Sequence, residues 1–177
     1  SGHHDNRVYA INAADGSQVW NQWTYNRGTD LYVGSNGIVY AHRNGWIEAL
    51  DGKTGAKKWN THIQGAYCVA MGYNDTLYIL QNHHSGQKVV AVDGQNGRTL
   101  WESLQPLAMG SGASVVIGLG GQLFQSTTTG SNDAPSTADL EIRKIDSKNG
   151  KILWAYSETN STDHGDFNWK KITVGAD

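Results

Sequence analysis

The chain has 177 residues, with 14 Lys and Arg against 16 Asp and Glu, so its formal net charge is −2. The basic residues form no run, which excludes the electrostatic footprint of a nucleic-acid-binding protein. The longest apolar stretch, residues 113–119, is interrupted and far too short for a membrane span. The 22 glycines and the plentiful aromatic residues favour one domain of short strands joined by tight turns.

A gapless repeat recurs four times along the chain. Its copies are VYAINAADGSQVW (8–20), IEALDGKTGAKKW (47–59), VVAVDGQNGRTLW (89–101) and IRKIDSKNGKILW (142–154). In every copy a Gly precedes a Trp by four residues, giving the pairs Gly16 and Trp20, Gly55 and Trp59, Gly97 and Trp101, and Gly150 and Trp154. The tryptophans are 39, 42 and 53 residues apart, a period typical of a propeller of four-stranded blades.

A fainter motif lies between these copies, a Gly followed a few residues later by an aliphatic-aromatic step. Its copies lie at 33–40, 71–78 and 117–124, and another begins at 174. Each period therefore holds four predicted strands, at 30–34, 37–41, 46–51 and 56–61, at 67–72, 76–81, 88–93 and 98–102, and at 113–118, 122–127, 140–146 and 151–156. The sequence predicts one partial propeller domain with whole blades at 28–62, 63–104 and 105–157, the outer half of a blade at 1–27, and the start of another at 158–177.

The residue types of the Trp repeat suit the hairpin between the third strand and the outer strand. Each hairpin opens with Asn12, Asp51, Asp93 or Asp146, whose short side chain can accept backbone N–H groups across the turn. The following Gly is expected to have a positive φ, which a Cβ would penalise. We expect each Trp to be buried between neighbouring blades, where burial of the ring contributes roughly 3 kcal/mol.

The copy from Ala49 to Trp59 resembles the tryptophan-docking motif of quinoprotein alcohol dehydrogenases, which use pyrroloquinoline quinone (PQQ), and of their non-catalytic PQQ-like relatives. This copy has the complete pattern of Ala, Asp, Thr-Gly and Trp, whereas Asn12 replaces the Asp of the first copy and Lys144 the Ala of the last. The resemblance implies an all-β fold, a β-propeller of four-stranded antiparallel blades. This chain would then hold about four blades of a seven- or eight-bladed ring.

For an enzyme of this family, the resemblance implies PQQ under a ring of two adjacent disulfide-linked cysteines, Ca²⁺ held by carboxylates and amides, and an Asp as base. This chain has a single cysteine, Cys68. No Asp or Glu can be assigned as the base, because each motif Asp already has a turn to stabilise. We expect no catalytic residue, no metal site and no cofactor; PQQ with Ca²⁺ belongs only to the alternative of a dehydrogenase fragment.

One end of the predicted blades collects aromatic and imidazole groups. Strand alternation brings the outer-to-inner connections and the second-to-third hairpins to the same end, which we call the connection face. The candidate ligand-contacting residues there are His42, His62, His83, His84, His164, Trp23, Tyr67 and Trp169. Adjacent residues of an extended strand point to opposite sides, so we expect His83 and His84 not to share a metal ion.

Two further segments have predicted places in the fold. The Gly-rich segment with Gly110, Gly112, Gly118, Gly120 and Gly121 does not fit a dinucleotide-binding motif and is predicted as an inner strand near a crowded axis. Residues 128–139 form an insertion and are predicted as an exposed loop between the second and third strands.

These observations favour a non-catalytic PQQ-like propeller segment that serves as a protein- or ligand-binding scaffold. The alternatives are a fragment of a PQQ-dependent alcohol dehydrogenase and a carbohydrate-recognition propeller. Four repeats cannot close a ring of seven or eight blades, so the remaining blades, a partner chain or a second copy are expected partners, beside a protein or glycan ligand. The resemblance implies an extracytoplasmic location, periplasmic or secreted.

Overall fold

The structure is a computed structural model, and it describes residues 6–24, 30–84, 86–103, 113–129 and 138–160. The first sheet pairs β1 (Arg7–Ile11) with β2 (Gln18–Trp23). The second contains β3 (Asp30–Val33), β4 (Ile38–Arg43), β5 (Trp46–Asp51) and β6 (Lys57–His62). The third contains β7 (Ala66–Met71), β8 (Thr76–His83), β9 (Gly86–Asp93) and β10 (Thr99–Glu102). The fourth contains β11 (Ser114–Ile117), β12 (Leu123–Thr129), β13 (Ala138–Ile145) and β14 (Ile152–Asn160).

In each four-stranded sheet the strands are hydrogen-bonded in chain order and antiparallel. This is the meander expected of a propeller blade, and it confirms the predicted fold class. In all four sheets the pairing shifts register next to the strand that carries the Trp, for example between Ala49 and Leu50 opposite β6. This bulge adds local twist at the outer edge of each sheet.

The core lies between successive sheets, because both faces of each middle strand are covered. In β8, Leu77 and Ile79 pack in a cluster with residues of the β3–β6 sheet, whereas Tyr78 and Leu80 pack in a cluster with residues of the β11–β14 sheet. All four side chains are at most 2% exposed. This two-sided burial explains why the middle strands are runs of apolar residues rather than alternating patterns.

Two expectations from the sequence are corrected here. Gly118 follows β11, and Gly120 and Gly121 lie in a short 3₁₀ turn at Leu119–Gly121 with φ of 75° and 77°, so this part of the Gly-rich segment is a turn and not an inner strand. Gly110 and Gly112 lie outside the described residues. Residues 128–129 and 139 extend the β12–β13 ladder, so the predicted loop between the second and third strands is shorter than 128–139.

No helix in the described ranges has the length and apolar character needed to cross a membrane.

Candidate functional site

Backbone hydrogen bonds tie the loops of the connection face together. The β4–β5 hairpin meets the β6–β7 connection where the Ile63 N–H donates to the Gly45 carbonyl at 2.8 Å. The same connection meets the end of β8 where the Asn82 N–H donates to the Gly65 carbonyl at 2.9 Å. Gly45 has a φ of 83°, and an added Cβ would lie 2.5 Å from the Ile63 carbonyl oxygen. These contacts fix the backbone from which the candidate side chains project.

His62 packs against an aromatic ring that the sequence reasoning did not single out. The rings of His62 and Trp46 have centroids 4.7 Å apart, and the two residues are cross-strand partners on β6 and β5. Their positions at the end of this strand pair place the stacked rings on the connection face. The sequence signal for this stacking was the position of Trp46, which comes just after the β4–β5 turn.

The structure brings the His83 and His84 rings together, with centroids 3.8 Å apart. The expectation that they point to opposite sides is wrong, because β8 ends at His83 and His84 already lies in the turn. The pKa of His83 is lowered by burial and then by the neighbouring His84. In the part of the chain that the structure describes, no three His, Cys, Asp or Glu side chains gather as a metal site would require.

His42 is not on the surface of the connection face. Its side chain lies between sheets, the residue is only 3% exposed, and neither ring nitrogen has a hydrogen-bond partner within the described ranges. It shares a face of the sheet with its cross-strand partners Asp30 and Ile47. Burial lowers the pKa of His42, and the Asp30 carboxylate opposes that shift only in part. The residue is therefore a neutral packing group at physiological pH.

Trp23 and Tyr67 are the large exposed aromatic side chains of this face, with 53% and 39% exposure. The Arg7 guanidinium lies 5.5 Å from the centre of the Trp23 ring and also donates a hydrogen bond to Asn21. Such a cation-π contact holds the indole in place while leaving its outer surface accessible. His164 and Trp169, the remaining candidates for this face, lie outside the described residues.

The four motif hairpins lie at the opposite end of the sheets. Asp51 accepts the N–H groups of Lys53 and Thr54, both at 3.0 Å, and the hydroxyl of Thr54 holds the pKa of this carboxyl below its usual range. Asp93, Asp146 and Asn12 cap their own hairpins in the same way. The φ angles of the four motif glycines are 74° or 75°, as the sequence predicts.

Three indoles reach from one sheet to the next. The indole N–H donates to a backbone carbonyl of the following hairpin, from Trp20 to Gly52 at 2.9 Å, from Trp59 to Gly94 at 3.0 Å and from Trp101 to Ser147 at 3.0 Å. Each ring also covers the motif Gly of that hairpin: a Cβ added at Gly55, Gly97 or Gly150 would lie 2.5–2.7 Å from the indole. These positions therefore require glycine for close approach as well as for its φ.

Two tyrosines that sequence reasoning left without a role complete these contacts. The Tyr40 hydroxyl donates to the Gly94 carbonyl at 3.0 Å, and its ring centroid lies 5.9 Å from that of Trp59. Tyr78 and Trp101 repeat the arrangement, again with centroids 5.9 Å apart. Burial raises the pKa of Tyr40, so the hydroxyl keeps the proton that it donates. The sequence signal was the aromatic residue that ends each copy of the fainter motif.

The motif carboxylates bear on the alternative of a dehydrogenase that holds PQQ with Ca²⁺. The motif side chains that could supply carboxylates, such as Asp51 and Asp93, are already engaged in their own hairpins. Within the described ranges no three His, Cys, Asp or Glu side chains lie together.

Comparison with known proteins agrees with this architecture. A family model described as outer membrane protein assembly factor BamB matches residues 4–169. The curated outer membrane protein assembly factor BamB of Yersinia pestis is 24% identical over 155 residues, which covers 83% of this chain and 38% of that protein. The crystal structure of BamB from Moraxella catarrhalis superposes with a TM-score of 0.60 at 17% identity, covering 86% of this chain and 43% of that one.

A europium-containing methanol dehydrogenase also superposes, with a TM-score of 0.57 at 16% identity, covering 87% of this chain and 38% of the enzyme. At these identities the two structures show the shared fold alone. This chain spans less than half the length of each of these relatives. By its repeats, its sheets and the family model that matches nearly all of it, the chain belongs to the PQQ-like repeat family of the outer membrane protein assembly factor BamB.

Proposed function

We propose that this chain is a non-catalytic PQQ-like propeller segment that binds a protein partner through its connection face. The observation that carries the proposal is the pair of exposed aromatic side chains at this end of the sheets, Trp23 at the end of β2 and Tyr67 near the start of β7, which follows a connection whose backbone is held by hydrogen bonds. Trp and Tyr are the side chains that most often dominate binding energy at protein interfaces, because they bury a large area and keep a polar tip.

The fixed backbone supports this role energetically. A binding surface that is ordered before the partner arrives loses less conformational entropy on association than a flexible one does. The hydrogen bonds from Ile63 to Gly45 and from Asn82 to Gly65 supply that order. In this proposal the indoles of Trp20, Trp59 and Trp101 act as docking elements that keep the sheets, and therefore their loops, in register.

The relatives support a protein partner and a location outside the cytoplasm. BamB of Yersinia pestis is named an outer membrane protein assembly factor, which is a role among other proteins at that membrane. We propose by analogy that this chain works in the same kind of setting, periplasmic or secreted. Among the described residues of the connection face, no three His, Cys, Asp or Glu side chains gather as a metal site would require.

The proposal is tested by site-specific photo-crosslinking in cells that make the protein. A photoreactive amino acid replaces Tyr67 on the connection face or, as the matched control, Tyr73 in the β7–β8 turn at the opposite end, which is 67% exposed. We expect a discrete cross-linked protein from position 67 and none from position 73. Equal cross-linking from both positions, or from position 73 alone, would overturn the assignment of the face.

Two inexpensive assays separate the alternatives. Purified protein mixed with PQQ and Ca²⁺ is expected to show no bound-quinone absorbance and no dye-linked alcohol oxidation; either signal would favour the dehydrogenase. On a glycan array we expect no saturable binding that depends on Trp23, as judged by comparison with Trp23→Ala. Saturable, Trp23-dependent glycan binding would favour a carbohydrate-recognition propeller instead.

A further inference from the structure

The chain contains four Asn–Gly steps, and the fold holds three of them differently from the fourth. They lie at residues 36–37, 44–45, 96–97 and 149–150. Asn–Gly is the step at which asparagine most readily loses its side-chain amide, because glycine has no Cβ to hinder attack of its backbone nitrogen on the asparagine Cγ. Hydrogen bonds to the reacting groups therefore decide which of the four steps the fold protects.

Three of the steps are held by hydrogen bonds on both reacting groups. At Asn149 the side-chain oxygen accepts the Lys151 N–H at 3.0 Å, and the side-chain nitrogen donates to the Asp146 carboxylate at 2.8 Å. The Gly150 N–H donates to the Asp146 carbonyl at 2.9 Å. The same three kinds of bond hold the steps at 36–37 and 96–97. Each of these steps must lose its bonds before the glycine nitrogen can reach Cγ.

The fourth step, Asn44–Gly45, lacks these three bonds. The two residues form the turn between β4 and β5, and their φ angles of 50° and 83° follow the pattern of a type I′ turn. Among the described residues, neither the Asn44 side chain nor the Gly45 N–H has a hydrogen-bond partner, and Asn44 is exposed. The Gly45 carbonyl accepts the Ile63 N–H at 2.8 Å, which leaves the Gly45 nitrogen unengaged.

We propose that Asn44 is a site of spontaneous modification, at which its amide is converted to aspartate and isoaspartate. The Gly45 nitrogen gives up its proton to hydroxide and bonds to Asn44 Cγ. The Cγ–Nδ2 bond then breaks, and ammonia leaves with a proton taken from water. Water opens the resulting cyclic imide: cleavage of the new N–Cγ bond gives aspartate, and cleavage between the Asn44 carbonyl carbon and the Gly45 nitrogen gives isoaspartate. Water is the only co-reactant consumed.

The two products change the connection face in different ways. Aspartate keeps the turn, because Asp–Gly also suits type I′ geometry, and it adds a negative charge two residues before Trp46, whose ring stacks on His62. Isoaspartate carries the main chain through Cβ and lengthens the turn, which displaces the Gly45 carbonyl from the Ile63 N–H. An effect of this change on partner binding rests on the proposed function, whereas the modification itself does not.

The test is a time course of the intact 177-residue chain in mildly alkaline buffer, followed by peptide mapping that resolves asparagine, aspartate and isoaspartate. We expect conversion at Asn44 to be at least about tenfold faster than at the other three steps, which must first lose their hydrogen bonds. In urea the four steps should react at comparable rates, because glycine follows each asparagine. Folded chain in which Asn44 reacts no faster than the others, or a preference for Asn44 that persists in urea, would overturn the inference.

Hydrogen exchange of the Ile63 amide gives a second readout, with Asn44→Gly as the matched control. Glycine adopts the positive φ of this position and has no amide to lose. After the same incubation we expect faster exchange at Ile63 in the wild-type chain and no change in Asn44→Gly. An equal change in both proteins, or no change in wild-type chain that carries isoaspartate at position 44, would overturn the link to the Ile63 contact. Cross-linking from position 67 is measured separately, so its failure would leave these outcomes unaffected.

Discussion

Tyr40 and Trp59 belong to one sheet but share a single acceptor in the next, the carbonyl oxygen of Gly94, at 3.0 Å each. The space around that carbonyl is tight, since a Cβ at Gly94 would lie 2.4 Å from the Tyr40 hydroxyl. Side chains from two strands thus converge on one backbone group of a neighbouring sheet. This arrangement couples the stability of each sheet to the presence of the next.

Removing the Tyr40 hydroxyl should weaken that coupling. Tyr40→Phe loses the bond to Gly94 and also leaves the Asn36 side chain, which donates to the hydroxyl at 2.8 Å, without that acceptor. We expect the free energy of unfolding to fall by about 1 kcal/mol. Urea denaturation measures it, with Tyr78→Phe as the control that should lose less, because its bond to Ser147 is 3.4 Å long. Equal losses would contradict this ranking.

Close approach of the indole can be separated from backbone strain at two glycines. Gly97 and Gly37 both have a φ of 75°, but a Cβ at Gly97 would lie 2.6 Å from the Trp59 ring, whereas one at Gly37 would meet nothing within 4 Å. Ala at either position pays the same backbone cost. We expect Gly97→Ala to be more destabilising than Gly37→Ala by about 1–3 kcal/mol, the usual cost of overpacking. If the two variants had the same denaturant midpoint, the Trp59 indole would be able to move away from the added methyl group at no cost in stability.

His42 gives the fold a pH dependence whose sign follows from its burial. Its folded-state pKa lies below the ordinary value of 6.5, so in acid the unfolded chain takes up a proton that the folded chain does not. The stability associated with neutral His42 is therefore complete above pH 6.5 and is lost as the pH falls toward the folded-state pKa. Thermal unfolding between pH 7 and pH 5 should show this loss.

The variant His42→Leu is expected to flatten that pH dependence without loss of stability at neutral pH. The third sheet already carries Leu80 at the corresponding position of its second strand, where it is fully buried. If His42→Leu retained the full slope, the buried imidazole would not be its source.

Asp75 joins two sheets at the end opposite the connection face. Its carboxylate accepts the Ser35 N–H at 2.6 Å and the Ser35 hydroxyl at 2.9 Å, across 40 residues of sequence. Asp75→Gly keeps the positive φ of 59° but removes both bonds, so we expect a loss of about 1–3 kcal/mol. Asp75→Asn, which retains one acceptor oxygen, should lose less in the same chemical denaturation experiment. Wild-type stability of Asp75→Gly would show that this contact adds nothing.

The sheets could be predicted from the sequence because the Gly–Trp spacing and the short apolar runs are set by local chemistry. The ends of the strands were predicted less accurately, because β8 extends to His83 and β12 to Thr129. The residues there are polar, so a pattern of apolar residues does not reveal that they continue the ladder. Likewise the sequence predicts a strand at Gly120 and Gly121, because composition does not distinguish a small residue near an axis from one with a positive φ.

The contacts of individual candidate residues were harder to foresee. Whether His42 faces solvent or a neighbouring sheet depends on the packing of two sheets, and the matching position, Leu80, was the only sequence hint of burial. Ser35 and Asp75 lie in turns whose sequences look ordinary, and only the docking of the sheets brings them together. Trp46 and His62 lie at the two ends of a hairpin in the sequence, and they meet because the register of β5 and β6 makes them cross-strand partners.

Docking of successive sheets by their indoles is tested by hydrogen exchange of the indole N–H groups, followed by NMR on the intact chain. Trp20, Trp59 and Trp101 join successive sheets by donating to backbone carbonyls of the next hairpin. We expect these three indole protons to exchange slowly and to lose their protection together on global unfolding. Exchange of these three as fast as that of the exposed Trp23 would contradict this docking.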